Sequence, residues 1–180
     1  MKKVMLRVFW IWQFEKEEKW LNEMSAKGLQ LRSTTLFIYT FDVGLPGEYV
    51  YRLELLDNRL PFSEKEKYIH FVEDTGAECT TRWFNWIYFR KKAAEGEFDL
   101  FSDVDSRIKH INRVLSIASV VMILNISNAL LMMHRLNHEH MTDGLVLNIF
   151  IIALVILIGY GIIRLLIERR RLNREKILHE

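Results

Sequence analysis

Hydrophobic and polar positions along this chain change rhythm near residue 113. Before it, apolar residues recur with the period of strands or of helices. After it come two runs without charge, Val114–Met133 and Gly144–Ile163, separated by the ten residues His134–Asp143. An uncharged apolar run of about twenty residues is long enough to cross a bilayer as a helix. The second half therefore predicts a two-helix transmembrane hairpin over 114–163, with a basic tail over 164–180.

The first half predicts six elements. Met1–Phe14 is rich in aromatic and β-branched residues (Val4, Val8, Phe9, Trp10, Ile11, Trp12) and predicts a strand. Glu15–Lys27 places Trp20, Leu21 and Met24 on one stripe and predicts a helix, with Gly28 just beyond its end. Leu29–Val43 and Glu48–Leu56 predict a hairpin across the turn Gly44-Leu45-Pro46-Gly47. Ser63 and Glu66 have the spacing of a capping box, opening a second helix that ends at Gly76. Ala77–Lys91 predicts a last strand.

The resulting order, βαββαβ, is that of a ferredoxin-like α+β domain over 1–92, with two helices on one face of a four-stranded sheet. Residues 93–113 form a connection. Its segment Glu97–Phe101 is apolar enough to dock on the domain, and Ser102 with Asp105 suggests the start of a helix running into the first span.

Charge refines this picture. The first 100 residues carry a net −1 and the last 80 a net +3. A near-neutral first half lacks the basic footprint of nucleic-acid binding. An RNA-recognition domain shares the element order, but its basic-glycine-aromatic signature is missing from Tyr49–Leu56. The positive excess flanks the apolar runs: Arg107, Lys109 and Arg113 before the first, Arg164, Arg169, Arg170, Arg171, Arg174 and Lys176 after the second. Short Lys/Arg-rich segments stay in the cytoplasm, so both termini are expected on the cytoplasmic side of a cell membrane. Arg7 interrupts the first apolar stretch and no cleavage site follows, which argues against a signal peptide. Cys79 is the only cysteine, so no disulfide within the chain is possible.

Candidate chemistry is sparse. Alternation predicts a binding face on the uncovered side of the sheet, with Trp10, Trp12, Tyr39, Trp86 and Tyr88 as aromatic members and Arg52, Glu54 and Arg82 as polar ones. His134, His138 and His140 in the connection are weak metal candidates. Asn125 and Asn128 in the first run are expected to hydrogen-bond to a neighbouring helix. No phosphate loop or nucleophile motif is present, and no cofactor is expected.

Three ordered motifs are familiar. They are Phe14–Met24 with Ala26-Lys27-Gly28, then Glu48–Glu54, then Trp86–Lys91 with Gly96–Asp103. Together they resemble domain-of-unknown-function family 2812 of Gram-positive bacteria over residues 5 to 113. Leu29 stands where that family has an aromatic residue. The resemblance implies a cytosolic domain followed by membrane helices, often encoded beside PadR-type regulators, and carries no catalytic residues. The expectation is a membrane-anchored, non-enzymatic binding module in regulation or envelope stress, with a protein or a second copy as partner. The alternatives are an accessory subunit of a membrane transporter or complex, and an inner-leaflet enzyme built around Arg52, Glu54 or Arg82.

Overall fold

The computed structural model describes residues 2–101, 104–136 and 141–179. The chain divides into two compact units, Met1–Asp103 and Val104–Glu180.

The first unit is α+β. Its elements are β1 (Lys2–Leu6), a short 3-10 turn (Ile11–Gln13), α1 (Phe14–Ala26), β2 (Leu29–Thr35), β3 (Ile38–Val43), β4 (Tyr49–Leu55), α2 (Phe62–Glu73), β5 (Glu78–Trp83) and β6 (Trp86–Lys92). The single four-stranded ferredoxin-like sheet gives way to two three-stranded antiparallel sheets, ordered β1-β3-β2 and β4-β6-β5. Two expected single strands are in fact hairpins. Leu29–Val43 turns at Leu36 and Ala77–Lys91 turns at Phe84, with φ of 48° and 52° at those residues. Both turns put a bulky residue in the left-handed region, where glycine or asparagine is the usual occupant. A β-bulge in each hairpin, at Leu31/Ser33 and at Cys79/Thr81, also breaks the alternation.

The expected hairpin across residues 44–47 does not form. Gly44 donates to the carbonyl of Gly28, and Gly47 to that of Ser25, so this turn folds back on the end of α1 and leads the chain into the second sheet. Met1–Phe14 is a strand only to Leu6; Trp10 and Trp12 lie in the turn that starts α1. Helix α2 begins at Phe62 with Pro61 as N-cap and no side-chain cap, so the Ser63–Glu66 box is not used.

The two halves of this unit repeat one another. Phe62, Gly76, Phe84 and Phe89 lie 48 residues after Phe14, Gly28, Leu36 and Phe41, and both bulges keep the same interval. Each half is a βαββ module whose last strand lies in the middle of its sheet. Strands β2 and β5 lie side by side. Helix α1 covers its own sheet: Trp20 meets Tyr39 and Phe41 edge-on, with centroids 4.9 and 5.6 Å away. Helix α2 does the same through Ile69 and Val72, which pack with Ile87, Phe89, Leu56 and Phe98. Phe98 and Leu100 thus place the segment after β6 on the α2 side of the second sheet.

The second unit is an antiparallel helix pair, α3 (Val104–Leu136) and α4 (Met141–His179). Both helices are long and apolar enough to cross a membrane, over Val104–His134 and Leu145–Ile177. At about 1.5 Å per residue each exceeds the roughly 30 Å hydrocarbon core. Their inward residues concentrate at one end, where Ile111, Val114, Leu115 and Ala118 are buried, as are Ile158, Leu165 and Leu172. Residues such as Leu124, Leu130, Leu147 and Ile149 point outward, as lipid-facing positions do.

Candidate interaction surface

The residues expected on one open face are dispersed. Trp12, Tyr39, Trp86 and Tyr88 are buried. Trp10 is half-buried and stacks on Trp12, 5.6 Å between ring centroids and 6° between planes. Trp86 packs on Phe14 at 6.0 Å. Glu54 is buried on the α2 side, where its carboxylate accepts from the Tyr68 hydroxyl. Arg82 pairs with Glu66 of α2, and Arg52 with Glu18 of α1 at 3.3 Å. These polar groups are tied into separate contacts, so no common pocket gathers Arg52, Glu54 and Arg82.

The aromatic hydroxyls converge on a residue that pattern-reading passed over. Glu17 of α1 is buried, and its Oε1 accepts from Tyr39 of β3 and Tyr88 of β6, each at 2.7 Å. One carboxylate thus ties both sheets to one helix. Burial pushes its pKa upward, against the lowering effect of the Tyr88 and Tyr39 hydroxyls. The same burial, with the Glu17 charge beside them, drives both tyrosines upward. Glu17 sits in a run of charges that reads as a solvated helix face. Only its interval of three to Trp20 and four to Leu21 marks it as inward-facing.

The outer edge of β4 is sealed by the same helix. Asn22 Nδ2 donates to the Tyr51 carbonyl at 3.1 Å, and the Tyr51 amide donates to Asn22 Oδ1 at 2.7 Å. Glu18 Oε2 accepts from the Leu53 amide at 3.1 Å, and Ser25 Oγ donates to the Tyr49 carbonyl at 2.6 Å. One helical turn rises about 5.4 Å and two strand residues about 6.7 Å, close enough for successive turns to meet successive free positions. Burial pushes the Glu18 carboxyl up to about 7, with Arg52 and the Leu53 amide acting in the opposite direction.

The first sheet is left open where the second is closed. Val4 and Leu6 of β1 lie opposite Thr40 and Ile38 of β3, so all four share the face turned away from α1. Val4 is 65%, Leu6 78% and Ile38 47% exposed. Among the described residues no strand pairs with the outer edge of β1. Lys2 and Lys3 lie on that edge strand and Arg7 just beyond it.

Comparison with known proteins gives one match. A model of a protein family of unknown function, DUF2812, covers residues 13–123. The chain belongs to the DUF2812 family. No curated protein and no solved structure shows a significant match to it. In this DUF2812 chain the opening motif Phe14–Met24 is α1, which carries Glu17, Glu18 and Asn22. The middle motif is the sealed strand β4, and the closing motif joins β6 to the docked Phe98.

The basic residues of the DUF2812 chain collect at one end of the helix pair. Arg107, Lys109 and Arg113 lie on the first turns of α3, and Arg164, Arg169, Arg170 and Arg171 in the C-terminal half of α4. Lys176 pairs with Asp105 at 2.9 Å, and Arg169 reaches Asn112 at 3.2 Å. Asn125 bonds to the carbonyl of Val121 in its own helix, while Asn148 of α4 reaches across to Ala129 of α3 at 3.4 Å. His138 and His140 lie outside the described residues. Among those described, no group of three His, Cys, Asp or Glu comes together to hold a metal ion.

Proposed function

We propose that this protein is a membrane-anchored cytosolic module that works by binding another protein through the open face of β1 and β3. The observation that carries the reading is the contrast between its two sheets. The fold spends five side-chain hydrogen bonds and an ion pair of α1 sealing the β4 edge, yet leaves Val4, Leu6 and Ile38 in water. Exposed apolar clusters rimmed by charge mark interaction sites. The buried aromatics and the dispersed Arg52, Glu54 and Arg82 argue against an enzyme site on this domain.

In this reading α3 and α4 cross the membrane as a hairpin with both basic ends in the cytoplasm, as the clustering of arginines supports. Two measurements on the full-length protein in its own membranes test the proposal. Single cysteines placed in a Cys79→Ser background at Asp143 and at Arg174 are exposed to an impermeant thiol reagent. Labelling at Asp143 in intact cells, and at Arg174 only after permeabilisation, is expected; the reverse pattern overturns the orientation. A photo-crosslinking residue at Val4 or Ile38 is expected to yield protein adducts, and one at Lys16 none. Adducts to lipid alone, or none from this face, overturn the binding reading.

A further inference from the structure

We infer that the open face of β1 and β3 receives helix α2 of a second copy of this chain, repeating between molecules the joint that already connects the two halves within one. The inference rests on the binding reading above and names the partner.

The internal joint supplies the template. The face of the second sheet turned toward the first half carries Leu55 opposite Trp86 and Leu53 opposite Tyr88. In the first sheet the matching pairs are Leu6 opposite Ile38 and Val4 opposite Thr40. The former set is buried, with Phe14 of α1 packed on Trp86, whereas Val4, Leu6 and Ile38 of the latter are exposed. The covering helix has its own counterpart. Phe14 of α1 is 7% exposed and packs on Trp86; its equivalent in α2, Phe62, is 75% exposed. A donor aromatic and an acceptor surface therefore stand unused at opposite ends of the tandem. Repeat proteins leave such terminal faces, and a second molecule can fill them.

Charge agrees with this docking. Arg52 of β4 pairs with Glu18 of α1. At the matching positions β1 has Lys3 and α2 has Glu66; the carboxylate already pairs with Arg82, so docking adds Lys3 as a second cation beside it. His70, 71% exposed on its side chain, stands at the position from which Asn22 seals the β4 edge. The buried carboxylate is not repeated, since Lys65 replaces Glu17 and Thr40 replaces Tyr88. The joint between molecules thus lacks the strongest polar tie of the internal one, as suits a reversible contact. It is heterologous: donor and acceptor are different surfaces, so copies add head to tail.

The test uses the full-length protein in mild detergent and in its own membranes, in a Cys79→Ser background, with a short bis-maleimide. Ile38→Cys mixed with Phe62→Cys is expected to give a dimer, while either protein alone gives none. Phe62→Asp, on an exposed side chain, is expected to weaken self-association at least about tenfold and leave the thermal midpoint unchanged. If Val4→Cys alone dimerises and the mixture does not, the contact is a two-fold pairing of β1 edges and the head-to-tail inference is overturned. If no pair cross-links and the protein is monomeric by light scattering, self-association itself is overturned. Photo-adducts at Val4 with a different protein would then leave the binding reading standing, and their absence would remove both.

Discussion

Tyr88 donates its hydroxyl to Glu17 at 2.7 Å although 71 residues separate them. Tyr39 meets the same oxygen from the other sheet. A buried carboxylate with two hydroxyl donors is strongly held, and removing one donor leaves it under-solvated. Tyr88→Phe and Tyr39→Phe are each expected to cost about 1.5–3 kcal/mol. Because they share an acceptor, the double variant is expected to depart from the sum of the two. Thermal or denaturant unfolding of the full chain in detergent measures all three, and strict additivity would count against a shared site.

Glu18 supplies a pH dependence with a definite sign. Its folded carboxyl sits near 7, above the value of about 4.3 in an unfolded chain. The folded state therefore holds the proton more tightly. That contribution is full below the unfolded value and is lost as pH rises through the folded one. Glu17 is raised also and acts in the same direction. The thermal midpoint is expected to fall between about pH 5 and pH 8. In Glu18→Gln, which keeps an acceptor for the Leu53 amide, that fall is expected to be shallower. An equal slope in the variant would show that Glu18 does not titrate in this range.

Asn22 closes the β4 edge with one donor and one acceptor. Asn22→Leu strips both, leaving the Tyr51 amide without its acceptor and its carbonyl with Arg52 Nη1 at 3.0 Å, at an expected cost of about 2–4 kcal/mol. Asn22→Asp keeps the acceptor alone and is expected to fall between. Amide hydrogen exchange at Tyr51 reports the same ranking locally, and protection unchanged in Asn22→Leu would refute it.

Gly28 and Gly76 occupy matching places in the two modules, with φ of 76° and 89°. An added Cβ at Gly28 would stand 2.8 Å from the backbone oxygen of Gly44, whereas at Gly76 it would meet the mobile carboxylate end of Glu95 at 3.2 Å. Gly76→Ala is expected to cost about 1–2 kcal/mol from left-handed strain. Gly28→Ala is expected to cost more, because the Gly44 backbone is held by its bond to the Gly28 carbonyl. Unfolding midpoints of the two variants decide the order.

Much of the secondary structure was legible in the chain. Helix α1 with Gly28 beyond it, strand β4, and two long apolar helices follow directly from period and composition. The hairpins at Leu36 and Phe84 are hidden because both turns lack glycine, so each strand pair has the sequence pattern of one long strand. With the turns concealed, the tandem modules were concealed as well. Their shared positions are few, among them Phe14 and Phe62, Glu18 and Glu66, Gly28 and Gly76. The aromatic residues were visible, but their side of the sheet was not. The bulges shift the alternation only in β2 and β5; Tyr39 and Tyr88, on the regular strands β3 and β6, face inward toward a glutamate that looks like surface. The open face of Val4, Leu6 and Ile38 follows only from strand register, which short stretches of sequence do not specify.

The ladder from α1 to β4 also governs how this protein can be made. Residues leave the ribosome in order, at about 5–20 per second. When Glu18, Asn22 and Ser25 have emerged, the strand they seal has not yet been synthesised, and the second hydroxyl for Glu17 arrives only with Tyr88. The first module therefore waits with its polar contacts open until the second is nearly complete. Only then can the pair close, just before the first long apolar helix, α3, is synthesised.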